Sequence, residues 1–250
     1  MKDNFSSIAT NYAHYRPTYP KAFFEYLQTI LNGHENAWDC GTGNGQVAFE
    51  LSKIFQNVYA TDISRVQIEN AAVAKNISYS VQPAEKTDFN DGFFDLIIVA
   101  QAIHWFDFEK FYQEVRRTAK PNALICAIGY GKLEISAEID AIISDFYHNV
   151  IGKYWDPERR YIDENYKTIP FPFDEIKTPE FNNRFSWNLD HLIGYLNTWS
   201  VVKHFIAKNQ FNPVDSLRTE LEKIWNPSET KEISFPLLLR LAHVNQPEKP

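Results

Sequence analysis

The chain has 250 residues, 44% of them hydrophobic. That is enough for one sizeable core, or a core with an inserted lid, and too apolar for a disordered chain. The net charge of −7 and a pI near 5.5 disfavour nonspecific binding to nucleic acid or to an anionic membrane. No apolar run approaches the roughly 18–20 residues of a bilayer span, and residues 1–6 hold no apolar signal core, so a cytoplasmic protein is expected.

In chain order, residues 1–35 read as a helical N-terminal cap. From 36 to 130 strand and helix signals alternate, which argues for a parallel sheet with helices on both sides. Strands are expected at 36–40, 57–61, 77–81, 94–100 and 123–129. The fourth is a continuous apolar run, the mark of a strand buried on both faces. Helices are expected at 46–54, at 64–73 with Ser64 as N-cap, and at 108–119, closed by Pro121. Beyond Gly131 the alternation stops. Residues 137–151, 189–199 and 213–225 look helical. The stretch 153–179, rich in Pro, Tyr and charge, reads as a lid or insertion. Strands are expected at 181–188 and at 232–243, where Pro236 suggests an edge or bulge. The division is one domain: cap 1–35, nucleotide-binding core 36–130, variable region 131–230, and final strand and tail 231–250.

The most informative stretch is Asp39-Cys40-Gly41-Thr42-Gly43-Asn44-Gly45. It lies between a predicted strand and a predicted helix. Three alternate glycines let the backbone bend sharply and approach a ligand closely. The following helix start presents unpaired N–H groups. Asp62 ends the next strand, where a carboxylate can hold the two hydroxyls of a ribose. Together these features indicate an adenosine-containing cofactor on a doubly wound sheet. The dinucleotide fingerprint G-x-G-x-x-G would need a glycine at position 46, where Gln46 stands. A nicotinamide oxidoreductase is therefore the weaker alternative.

An acidic residue followed by G-x-G-x-G resembles the first motif of the class I S-adenosylmethionine (SAM) dependent methyltransferases. The segment Tyr12-Ala13-His14-Tyr15-Arg16-Pro17-Thr18-Tyr19-Pro20 and the run Gln101-Ala102-Ile103-His104-Trp105 are similar to a small-molecule subgroup that includes the trans-aconitate methyltransferases. The resemblance covers residues 5–130. It implies SAM as cofactor and a Rossmann-like, doubly wound α/β fold. The expected sheet is seven-stranded and mostly parallel with an antiparallel last strand, together with a helical N-terminal segment and a lid-like insertion after strand 5.

By match of position, the resemblance assigns the cofactor to Arg16, Asp39, Gly41, Gly43, Gly45, Asp62, Ile63, Ala84, Glu85 and Gln101. Ala84 and Glu85 would meet the adenine edge, and Ile63 its face. Arg16 would pair with the methionine carboxylate or, alternatively, with a substrate carboxylate. Asp39 either orients the glycine loop or reaches the SAM amino group. Tyr12, Tyr15, His104 and Trp105 are the expected substrate residues. His104, the candidate catalytic group, would deprotonate a hydroxyl or, for a carboxylate acceptor, position it. The expected reaction is methyl transfer to a small-molecule oxygen such as a carboxylate, by a monomer or homodimer. A SAM-binding protein without catalysis is the other alternative.

Other chemistries lack their motifs. There is no H-E-x-x-H or cysteine pairing for zinc, no G-x-S-x-G elbow and no phosphate-binding G-x-x-x-x-G-K-[ST] loop. No metal site is expected. Cys40 and Cys126 fall in predicted core strands and read as buried small hydrophobes. The stretch 100–106 holds no proline, unlike the Asn/Asp-Pro-Pro-aromatic motif of enzymes that methylate base amino groups.

Overall fold

The computed structural model describes residues 14–244. Its centre is a six-stranded sheet in the order β3-β2-β1-β4-β5-β8. The strands are β1 (Asn36–Cys40), β2 (Asn57–Asp62), β3 (Ile77–Val81), β4 (Phe94–Ala100), β5 (Ala119–Tyr130) and β8 (Leu237–His243). The first five run parallel, and β8 pairs antiparallel with β5. Strand order reverses between β1 and β4, so their carboxyl ends open the crevice where such sheets bind ligands.

Apolar runs on both faces explain the layering. Trp38, Phe94, Ile97 and Val99 face α4 (Phe108–Thr118), which brings Phe111 and Val115. Leu96, Ile98 and Cys126 face the other way, onto Phe23, Phe24 and Leu27 of α1 (Lys21–Ile30) and Val47, Ala48 and Leu51 of α2 (Gln46–Leu51). Trp38 stacks on Phe94 at 5.7 Å, and its indole N–H donates to Thr61 Oγ1 at 2.9 Å. That bond satisfies the one polar atom of a fully buried ring. Ser64 caps α3 (Arg65–Glu69) by accepting from the Gln67 N–H, as its sequence position predicts.

Four expectations need correction. The sheet has six strands among the described residues, not seven. The outer edge of β8 carries only an isolated bridge from Glu175 to Ala242. The single final strand expected at 232–243 is two strands. β7 (Thr230–Ser234) leaves the main sheet to pair antiparallel with β6 (Arg184–Asn188), and the chain re-enters as β8. The break falls at Pro236, which has no N–H to give a ladder. Its carbonyl instead accepts from the Gly131 N–H at 2.9 Å. Pro121 does not separate helix from strand either. β5 begins at Ala119, and Pro121 lies where the β4–β5 register shifts and no ladder bond is needed. Finally, the three helices expected at 46–54, 64–73 and 137–151 are shorter. The last ends as α5 (Ala137–Asp145) and continues as a wider turn, Phe146–Val150.

After β5 the chain builds a second packed region. It contains α5, α7 (Leu189–Asn197), α8 (Ser200–Asn209), α9 (Pro213–Leu221) and the β6–β7 ribbon, whereas the short helix α6 (Arg160–Asp163) packs its Ile162 into the core of the main sheet. α8 was not evident from the sequence. These elements share their own core of Ile151, Trp187, Leu196, Val201, Leu221 and Trp225. The stretch 153–179, expected as a lid, packs Ile162, Tyr166 and Ile169 into the core of the main sheet.

Candidate functional site

The glycine loop leaves β1 at the reversal point. Gly41, Gly43 and Gly45 all have positive φ, at 71°, 55° and 77°. At Gly43 a Cβ would meet nothing within 4 Å, and the residue lines the cleft, so its backbone is open to a ligand. At Gly45 a Cβ would overlap the hydroxyl of Tyr79, which packs beneath the loop and donates to Ala72 O at 2.6 Å.

Asp39 fastens this loop from below. Its Oδ2 accepts from Thr42 Oγ1 at 2.6 Å and from the Ala48 N–H, in the first turn of α2, at 2.9 Å. The side chain is fully buried, and desolvation raises its pKa to about 7. Asp39 does not line the cleft. Of the two roles expected for it, this geometry favours orienting the loop.

Asp62 stands at the end of β2 and is held at both oxygens. Oδ2 accepts from the Gly43 N–H at 2.9 Å, and Oδ1 from the Ser64 N–H at 2.8 Å. The acid and the glycine loop are therefore one hydrogen-bonded unit. A carboxylate offers about four acceptor positions in all.

A cleft opens above this unit. Gly41, Gly43, Asp62, Ile63, Gln101 and Arg16 line it, six of the residues expected to meet the cofactor. Trp105, expected at the substrate, lies in the same wall. The donor set fits a nucleoside that carries an amino acid. It offers a carboxylate for ribose hydroxyls, an apolar side chain for a base and a guanidinium for a carboxylate.

A second cavity adjoins the first. Arg16, Gln101, Trp105 and Tyr130 line both. Arg16 donates to Tyr130 Oη at 3.2 Å and to Thr198 O at 3.1 Å, tying the N-terminal segment to both halves of the molecule. Gln101 has φ of +53°, a conformation that costs a non-glycine residue of order 1–3 kcal/mol. The strained residue sits in the shared wall. Its amide donates to Tyr130 O at 3.1 Å.

His104 lies in a short 3-10 turn, Ile103–Trp105, and is 5% exposed in the wall of the second cavity. Burial, helped by the nearby Arg159 charge, pushes its pKa down to about 3. It is neutral at pH 7. Its Nδ1 is buried with no hydrogen-bond partner among the described residues.

Not all expected residues converge. Ala84 and Glu85 line neither cavity. Ala84 is buried against the core, and Glu85 Oε1 accepts from the Asp107 N–H that precedes α4. Gly45 lies under the cleft rather than in its wall. Tyr15 packs across Gly194 of α7 and against His14 and His191, on another face. Tyr12 lies outside the described residues. Conversely, Tyr130, Trp155, Arg159, Tyr195 and Trp199 line the second cavity, and sequence reasoning named none of them. Tyr130 had a signal, since it ends the fifth strand on the ligand-binding rim. Trp155 and Arg159 come from the aperiodic stretch 153–179, which offered no spacing to read, and Tyr195 and Trp199 from the run expected as a helix at 189–199, where nothing in the pattern pointed to the ligand rim. Among the described residues no cluster of His, Cys, Asp or Glu has metal-ligand geometry, and no helix is long and apolar enough to cross a membrane.

Comparison with known proteins agrees with this geometry. A family model described as a methyltransferase domain matches residues 38–127, the strand–loop core. A Dictyostelium discoideum protein, provisionally named a methyltransferase, is 32% identical over 252 aligned residues, covering 96% of this chain and 94% of that one. A solved structure from Anaeromyxobacter dehalogenans, provisionally named a type II methyltransferase, superposes with a TM-score of 0.84 at 34% identity, over 92% of this chain and 98% of that one. A Saccharomyces cerevisiae protein, provisionally named a SAM-dependent methyltransferase, is 23% identical over 95% of this chain and 93% of its own. Likeness running through both the glycine-loop core and the region after β5 shows the family: this chain belongs to the class I SAM-dependent methyltransferases, and SAM is its methyl donor.

Proposed function

We propose that the enzyme methylates an oxygen, such as that of a carboxylate, on a small molecule seated in the second cavity. The observation that carries this is the shared wall. Arg16, Gln101, Trp105 and Tyr130 belong to both cavities, so a ligand in one borders a ligand in the other. Aromatic rings on most sides suit a small organic acceptor better than a polymer.

In this reading Gly41 and Gly43 give close backbone approach, Asp62 holds the ribose and Ile63 covers the adenine. Arg16 takes the amino-acid carboxylate, with Gln101 beside it. Asp39 and Gly45 support them from beneath. When bound, SAM supplies a sulfonium-activated methyl group. The residues of the chain then align the acceptor and exclude water, effects worth roughly 7–11 kcal/mol in well-oriented cases. Trp105 packs at the junction. His104 positions the acceptor by hydrogen bonding through its unpartnered Nδ1. A group whose conjugate acid titrates at about 3 is too weak a base to take a hydroxyl proton at neutral pH. That supports positioning over general-base catalysis. A carboxylate acceptor needs no base.

The test is transfer of labelled methyl from SAM to a panel of small carboxylic acids, each matched to an alcohol and an amine of similar shape. Label in a base-labile ester is the expected result. Label only in base-stable amine products would exclude the oxygen acceptor.

A further inference from the structure

The second cavity holds a cation that binding of the methyl donor does not use. Arg159 closes a short 3-10 turn, Pro157–Arg159, and its side chain is only 19% exposed. Two partners brace its Nε. Nε–H donates to Tyr147 Oη at 2.8 Å, and Asp163 Oδ1 lies 3.5 Å away. The Tyr147 hydroxyl donates in turn to Asp163 at 2.7 Å. The guanidinium lies over the Trp155 ring, with its central carbon 4.6 Å from the ring centre. Among the described residues only Nε has a hydrogen-bond partner, so the two terminal nitrogens keep their N–H donors for something else. A planar fork fixed at its stem, stacked on an indole and unsatisfied at its tips is built for a planar oxyanion.

Independent observations point to a ligand at the same place. His104 Nδ1 and Trp155 Nε1, both in this cavity's wall, are buried without a hydrogen-bond partner. Buried polar atoms are rarely left so without cause. Arg16 and Arg159 also outweigh Asp156, the carboxylate in this wall, which lies 3.8 Å from His204 Nδ1.

Unlike the four residues shared with the donor cleft, Arg159 lines the second cavity and not the first. An oxygen gripped by an arginine fork also has its lone pairs engaged, which makes it a poor nucleophile. We propose that Arg159 is a specificity-determining anchor: it holds a carboxylate of the acceptor that is not the oxygen receiving the methyl group. The inference rests on the second cavity being the acceptor site. The acceptor then has two ends, an anionic one at Arg159 and a reacting oxygen at the Gln101–Tyr130 wall, joined by an apolar body between the rings.

The test is calorimetry in saturating S-adenosylhomocysteine, with benzoate, phenylacetate and 3-phenylpropionate each titrated against its primary amide. At least one acid should bind wild-type protein about 10- to 100-fold more tightly than its amide, the scale of a charge-assisted pair. Arg159→Gln should level acid and amide. Arg159→Lys should restore part of the preference, since the charge returns without the fork. Thermal melts check that each variant is folded. Because the readout is a ratio within one protein, a general loosening of the cavity would lower both affinities and leave the preference in place. Amides binding as well as acids, or a preference that survives Arg159→Gln, would overturn the anchor and leave the acceptor cavity standing. Acids and amides that both fail to bind, while S-adenosylhomocysteine binds, would overturn both.

Discussion

The two halves of this molecule make their cavities by different means. The donor cleft is built from short-range grammar. An acid beneath a glycine loop, a second acid at the next strand end and a polar strand terminus all lie within a few residues of the carboxyl ends of β1, β2 and β4. The second cavity, proposed here for the acceptor, is built from long-range packing, since Arg16, Tyr130, Arg159 and Tyr195 meet from four distant stretches of chain. A site of the first kind is held by backbone conformation and hydrogen bonds. A site of the second kind depends on the aromatic body after β5. Mutations in one half should therefore spare the other.

The largest effect should come from that aromatic body. Trp225 is fully buried, and its indole N–H donates to Glu229 O at 3.0 Å, yet it lines neither cavity. Trp225→Ala should cost about 3–5 kcal/mol of stability in urea denaturation. At low denaturant the folded fraction should bind S-adenosylhomocysteine within about twofold of wild type, as expected of independent sites. A large loss of donor affinity would show that the halves are not separable.

Asp62→Ala attacks the other half. Loss of a charged hydrogen-bond partner should weaken donor binding by about 1–3 kcal/mol, read by calorimetry. The free Gly43 N–H should loosen the loop as well. Unchanged affinity in a folded variant would remove Asp62 from the site. Gly43→Ala sharpens the same point. A Cβ there meets no atom within 4 Å, so the penalty is conformational alone, about 1–2 kcal/mol in thermal or chemical melts.

The smallest effect at neutral pH concerns His104. Its folded pKa of about 3 lies below the unfolded value, so on acidification the unfolded chain binds the proton first. The contribution to stability is complete above pH 6.5 and is lost as pH falls from 6.5 toward 3. His104→Phe should flatten that limb of a stability–pH curve. Methyl transfer by the wild type should show no inflection near pH 6.5 from this residue. An inflection there that vanishes in the variant would revive His104 as a base.

The sequence was most legible where local rules govern. β1 and β4 match their expected bounds because buried runs end at turn residues, and the edge strand β3, with no buried residue, matches its bounds through its alternation of Ile, Tyr and Val with Ser. Asp62, Gly43 and Gln101 reached the cleft because their roles follow from strand ends and turn geometry. Ala84, expected to act through its backbone N–H, and Glu85 line neither cavity: the Ala84 side chain packs in the core, and Glu85 accepts from the N–H of Asp107. A position in a loop predicts proximity, but the direction of a side chain is settled by its neighbours. The main sheet is one strand short of seven because the run expected at 181–188 pairs, as β6, with β7 in a second sheet, while the last strand joins the main sheet antiparallel as expected. Arg159 was unreadable because its chemistry comes from Tyr147, Trp155 and Asp163 around it, and a run of Pro, Glu and Arg looks like a solvated turn.

The most direct test is a crystal structure with S-adenosylhomocysteine and an aryl carboxylate. Division of labour between two adjoining cavities predicts the ribose on Asp62 and the amino-acid end toward Arg16 and Gln101. The carboxylate should occupy the fork of Arg159, across the wall formed by Gln101, Trp105 and Tyr130. A nucleoside bound away from Asp62, or both molecules competing for the first cleft with the second cavity collapsed, would contradict it.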